Sequence, residues 1–115
     1  MAEKSRLSET EFQIVLALAG GPRHGYGIMQ EIARQSGGRV TIGPGTLYGA
    51  IKRLLGGGMI AEGAMPRGAE DDVRRTSYYR LTPAGRASAS QAARQMADWV
   101  SIAAAHGLVS PNALE

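Results

Sequence analysis

Apolar positions in the first twenty residues fall on one side of a helix, with Phe12, Ile14, Val15 and Leu18 along it and Leu16 and Ala17 filling in. The flanking residues mark both ends. Ser8 followed by Glu11 has the spacing of a capping box, and Leu7 with Phe12 that of a hydrophobic staple. Gly20-Gly21-Pro22 supplies a left-handed stop and then a residue that cannot continue a helix, so the pattern predicts a helix over 9–20. A second helical stretch follows His24-Gly25, apolar at Ile28, Met29, Ile32 and Ala33 and polar at Gln30, Glu31, Arg34 and Gln35, and Gly37-Gly38 ends it. Val40-Thr41-Ile42 is short and wholly β-branched, which predicts a strand.

Pro44, behind Gly43, opens a third helix, because proline at the first helical position gives up only an N–H that has no helical partner. Leu47, Ala50, Ile51, Leu54 and Leu55 form its buried stripe. The opposite side carries Gly45, Thr46, Gly49, Lys52 and Arg53, with Tyr48 on its flank. That side is slim, polar and basic. Its glycines each lower helix propensity by about 1 kcal/mol relative to alanine, a cost that close approach to another polymer would explain.

After Gly56-Gly57-Gly58, the segments 59–64 and 77–81 read as two strands around the polar stretch 66–76, a hairpin with a wing-like loop. Alternation places Tyr79 and Leu81 on one face and Tyr78 and Arg80 on the other. Thr82-Pro83 then caps and opens an alanine-rich helix that runs to about His106. Along it Ala89, Ala92, Met96, Trp99 and Ala103 alternate spacings of three and four, the seam of a helix pair. A helix of this length reaches roughly 36 Å, longer than the domain it leaves, so the seam predicts a homodimer.

The expected fold is therefore mainly α with a small β-hairpin: a winged helix-turn-helix over 7–82, a C-terminal dimerisation helix over 83–106 and a tail over 107–115. In this plan the helix before the hairpin enters the DNA major groove, and pairing would set two such helices about one DNA turn, near 34 Å, apart.

Composition narrows the function. A chain of 115 residues has one domain's worth of core, and with no cysteine and two isolated histidines neither a disulfide nor a metal or cofactor site is expected. No Ser/His/acid set, paired carboxylates or phosphate-cradling loop can be assembled, so an enzyme is not expected. The opening residues lack the apolar run of a signal peptide, and no stretch approaches the roughly 20 apolar residues of a membrane span, so a cytoplasmic protein with no membrane partner is expected. The net charge of +3 lies wholly in residues 1–60, where seven basic side chains face four acidic ones. An anionic partner would meet that half.

The strings GPRHGYGI after the first helix, GPGTLYGAIKRL on the third, GMI leading into the hairpin and RRTSYYRLTPAGR at its end occur in the order found in PadR-like transcription regulators, which this chain resembles over about residues 7–87. The single long helix that follows resembles the short-chain branch of that family. The resemblance implies a dimer that represses transcription by binding double-stranded operator DNA and releases it on a small-molecule or stress signal. Carried over by position, Pro44, Thr46, Leu47 and Tyr48 match the start of the recognition helix, His24, Gly25 and Tyr26 the start of the second helix, and Arg74, Arg75, Tyr78 and Tyr79 the end of the wing. The chain departs from the pattern at Gly43, where a serine cap is usual, at Gly49, where proline is common, and at Gly27, where an acidic residue is frequent. It also places Glu70-Asp71-Asp72 in the wing, where glycine and arginine are usual, and phosphate repels an acidic tip.

On this reading Thr46, near the helix start, reads bases, and Lys52 and Arg53, further along, hold phosphates. Tyr48 reaches a base edge or the backbone. Tyr26 offers its hydroxyl to a phosphate or packs between helices. Arg74 and Arg75 grip the backbone or pair with the acidic residues of their own loop. Met96 and Trp99 lie in the dimer core, where the resemblance also admits a small hydrophobic effector between subunits. The rival reading is a winged helix that docks other proteins without specific DNA binding, which an acidic wing and modest charge would suit.

Overall fold

The computed structural model describes residues 6–63 and 77–110. Its elements run α1 (Glu9–Ala19), α2 (Gly25–Gln35), α3 (Pro44–Gly56), β1 (Ile60–Gly63), β2 (Tyr78–Leu81) and α4 (Pro83–Ala105). Both halves of the capping box form at α1: the Ser8 hydroxyl accepts from the Glu11 N–H at 3.1 Å, and the Glu11 carboxylate accepts from the Ser8 N–H at 3.0 Å. At α2 the cap is His24, whose Nδ1 accepts from the Gly27 N–H at 3.0 Å. Gly43 caps α3 without a side chain, and Pro44 takes the first helical position as expected.

The three helices converge on one core. Ile14, Val15 and Leu18 of α1 meet Ile28 and Ile32 of α2, and Leu47, Ile51 and Leu54 of α3 close it, each at most 2% exposed. Burying a side chain of this kind contributes about 1.5–3 kcal/mol, so the stripes read from spacing are what hold the trio together. Ile60 and Tyr79 seal the core from the hairpin side. The hairpin is antiparallel, with Ile60 opposite Leu81 and Gly63 opposite Tyr78. Mainly helical with one small hairpin, this is the winged-helix architecture.

One expectation is corrected. Residues 40–42 form no strand. Instead Gly37 and Gly38 turn the chain with positive φ, the Ser36 hydroxyl accepts from the Val40 N–H at 2.9 Å, and Val40 and Ile42 lean on the core. β2 is flanked on its other side by Arg23, which exchanges both backbone hydrogen bonds with Tyr79, at 2.9 and 3.1 Å. The Arg23 side chain adds a second tie, donating from Nε to the Ala17 carbonyl at 2.8 Å and facing Glu31 at 3.6 Å. Tyr78 and Tyr79, on opposite faces of β2 as alternation predicts, are both buried, and the His24 ring packs edge-on against Tyr78 with centroids 5.3 Å apart.

Thr82 fastens α4 to the hairpin. Its hydroxyl donates to the Gly58 carbonyl at 2.6 Å, lies 2.9 Å from that of Met59, and accepts from the Gly85 N–H at 3.0 Å, while its own N–H reaches the Met59 carbonyl at 3.1 Å. Gly85 is the only buried residue of α4, and a Cβ there would lie 1.9 Å from the Met59 carbonyl oxygen. The helix and the turn can touch only because that atom is missing.

Candidate nucleic-acid interface

Burial of Leu47, Ala50, Ile51 and Leu54 turns Pro44, Gly45, Thr46, Tyr48, Lys52 and Arg53 outward, and all six are exposed. The side of α3 read as slim and basic is thus open to solvent in the folded chain. Among the described residues nothing gives its glycines a steric cause: a Cβ at Gly45 would meet nothing within 4 Å, and one at Gly49 only the Arg53 guanidinium at 3.8 Å.

The two cations on this side differ. Among the described residues no ion pair involves Lys52. Arg53 donates from Nε to Glu11 at 2.8 Å, so the carboxylate that completes the cap of α1 also holds the last turn of α3. Nothing in the spacing announced this contact, since the partners stand 42 positions apart. Burial raises the Glu11 pKa, but the hydrogen bonds and charge of Arg53 and the bonds from Ser8 outweigh it, and the group ionises below its ordinary value of 4.5. Glu31, nearly buried on α2, is shifted the same way, first by its hydrogen bond from Arg34, against the pull of burial, and then by the charge of Arg23. A depressed folded pKa contributes stability above the unfolded value and loses it as pH falls through the folded one. Acid titration of the thermal midpoint should therefore show a plateau down to about pH 4.5 and a fall below it. Glu11→Gln should flatten part of that fall; an unchanged profile would exclude Glu11 as a source.

Tyr26, in the first turn of α2, is 53% exposed and does not pack between helices. Tyr48 is 48% exposed, yet the tip of its ring rests on Gly25, where a Cβ would stand 2.1 Å from the Tyr48 hydroxyl oxygen. Tyr26, Gly25 and the start of α3 are thus brought together on one surface. Arg74, Arg75 and the acidic run Glu70-Asp71-Asp72 lie outside the described residues.

On α4 the expected seam divides. Ala89 leans on the core of its own chain, whereas Ala92, Met96 and Ala103 are half-buried and Trp99 is 59% exposed. Ile102, Leu108 and Val109 extend the apolar exposure past Trp99. Ile102 escaped the strict spacing because it lies one row away, and Leu108 and Val109 because they follow the helix end. Among the described residues no group of histidines and carboxylates could hold a metal ion, and no helix is long and apolar enough to cross a membrane.

Comparison with known proteins gives consistent results. The profile of the transcriptional regulator PadR-like family matches residues 14–91, from the core of α1 into α4. An uncharacterized 37.1 kDa protein in transposon TN4556 of Streptomyces fradiae is 38% identical over 92 residues, which are 80% of this chain. The chain spans 24% of the length of that relative. Among solved structures, a transcriptional regulator from Clostridium thermocellum aligns with a TM-score of 0.68 at 26% identity, covering 81% of this chain and 84% of that one. The smu.1704 protein of Streptococcus mutans shares the fold, with a TM-score of 0.64 at 20% identity over 87% of this chain and 89% of its own.

Proposed function

Because the chain belongs to the transcriptional regulator PadR-like family, we propose that it acts as a homodimeric repressor that reads double-stranded DNA with α3. The observation that carries this reading is the open side of α3, where Thr46, Tyr48 and Lys52 stand exposed beside glycines that no contact among the described residues requires. A surface slim enough to enter a groove, basic toward its far end and polar at its start, suits backbone contacts by Lys52 and Arg53 and base contact by Thr46. Tyr26 adds a hydroxyl for phosphate from the first turn of α2. Residues 7–82 form the reading unit in this proposal and 83–106 the pairing helix, with 107–115 as a tail. Arg74 and Arg75 would grip the DNA backbone from the wing. Pairing buries Ala92, Met96, Trp99 and Ala103, and a small hydrophobic effector lodged at Met96 and Trp99 would change the angle between subunits and release DNA. The setting proposed is cytoplasmic.

A mobility-shift assay with DNA from around the protein's own gene, repeated over a range of salt, tests the reading. Specific retention that falls steeply with salt supports it, since phosphate neutralisation releases counterions. Retention of no fragment at any salt would favour the protein-docking alternative. Within that assay Thr46→Ala should change sequence preference, whereas Lys52→Ala should weaken binding to all sequences and lower the salt slope by about one. The reverse pattern would overturn the assignment of the two residues.

A further inference from the structure

Gly25 is the first residue of α2 and is buried, while the ring that buries it belongs to α3 and remains half open to solvent. A Cβ on Gly25 would stand 2.1 Å from the Tyr48 hydroxyl oxygen, 2.8 Å from Cζ and 3.2 Å from Cε1. All three contacts are with one side chain. The hydroxyl of Tyr48 also lies near enough to Tyr79 to help burial and Glu62 raise the pKa of that phenol. The ring of Tyr48 therefore joins the start of α2 to the start of α3.

We propose that the bare Cα of Gly25 is the seat that holds Tyr48 of the recognition helix in its DNA-facing pose, which makes Gly25 a positioning residue for DNA binding. The inference rests on the DNA-binding reading above and adds to it a residue that never needs to touch DNA. A tyrosine has two soft torsions, and a half-exposed ring left without support would sample several poses and lose entropy on binding. Seated on Gly25, the ring is fixed in advance. Alanine at position 25 suits a helix better than glycine and would be stabilising by propensity, so any loss it causes must come from the collision. The atom struck is the far end of a side chain with solvent beside it, so the ring can swing away while the helices remain in place.

The test is a double-mutant cycle read on affinity for the fragment that the wild-type chain retains, using the full chain. Gly25→Ala is expected to weaken binding about tenfold, and Tyr48→Ala by a similar factor, while the double variant binds within about twofold of Tyr48→Ala alone. Equal losses from Gly25→Ala in both backgrounds, or no loss in the wild-type background, would overturn the proposal and leave the DNA-binding reading standing. A wild-type chain that retains no fragment would remove both. Thermal unfolding accompanies each variant: if Gly25→Ala fails to fold, recovery of a cooperative transition by adding Tyr48→Ala supports the seat, and no recovery overturns it.

Discussion

Trp99→Glu is expected to yield a folded monomer that no longer retains operator DNA at concentrations where the wild-type chain does. Trp99 stands 59% exposed and Ile102 57% exposed on a helix whose only buried residue is Gly85, so a charge at position 99 removes no contact from the core of the single chain. In a pair the same position would be buried against an apolar partner, where truncation of a central tryptophan typically costs 2 kcal/mol or more and an unpaired carboxylate adds its desolvation. Two linked reading heads gain about 10²–10⁴ in apparent affinity over one, and a monomer forfeits that factor. Light scattering should report half the wild-type mass with an unchanged thermal transition at high dilution, and DNA retention should fall by about 100-fold or more. A dimer that persists would place the pairing surface elsewhere, and a monomer with undiminished affinity would show that one head suffices.

Gly85→Val should have the largest effect on folding. At Gly85 even a Cβ would lie 1.9 Å from the Met59 carbonyl oxygen, 2.8 Å from its carbon and 2.9 Å from Leu81 Cδ1. Two of these atoms are backbone, and the Met59 carbonyl is already gripped by the N–H of Thr82 and approached by its hydroxyl. Relief requires α4 to lift from the turn, breaking the cap and exposing the underside of the hairpin. Overpacking of this severity costs about 3 kcal/mol, or roughly 15 °C in the thermal midpoint of a small domain. Gly45→Ala, where a Cβ meets open space, is the control and should hold or raise the midpoint. If Gly85→Val melts with the wild type, the close approach of α4 to the turn is wrong.

Where structure follows from neighbours in sequence, the chain was readable in advance. The Ser8 and Glu11 box, the proline starts at Pro44 and Pro83 and the glycine stops are local chemistry, and the buried stripes of α1, α2 and α3 are periodicity. The open side of α3 followed from the same periodicity. Long-range contacts were not readable. Val40-Thr41-Ile42 has β-branched residues but no partner strand, because the backbone opposite Tyr79 comes from Arg23, ahead of α2. Strand propensity describes how a side chain suits a sheet and says nothing about which edge is vacant. Alternation put Tyr78 and Tyr79 on opposite faces but could not show that both are covered, because the ring packed against Tyr78 belongs to His24, far away in sequence. Likewise the Glu11 to Arg53 bond and the resting of Tyr48 on Gly25 depend on how helices approach one another, which a linear pattern does not encode.

The clasp of Thr82 and Gly85 on the Gly58–Met59 turn has a mechanical consequence. α4 is a rod of 23 residues, about 34 Å long, held at its first turn by this clasp and just beyond it by Ala89 on the core. A tilt of 10° about that fulcrum moves the far tip by roughly 6 Å, comparable to one helical turn. In a paired molecule the leverage runs both ways, so sub-ångström adjustments beneath the rod would be geared up into ångströms of separation between the two reading heads.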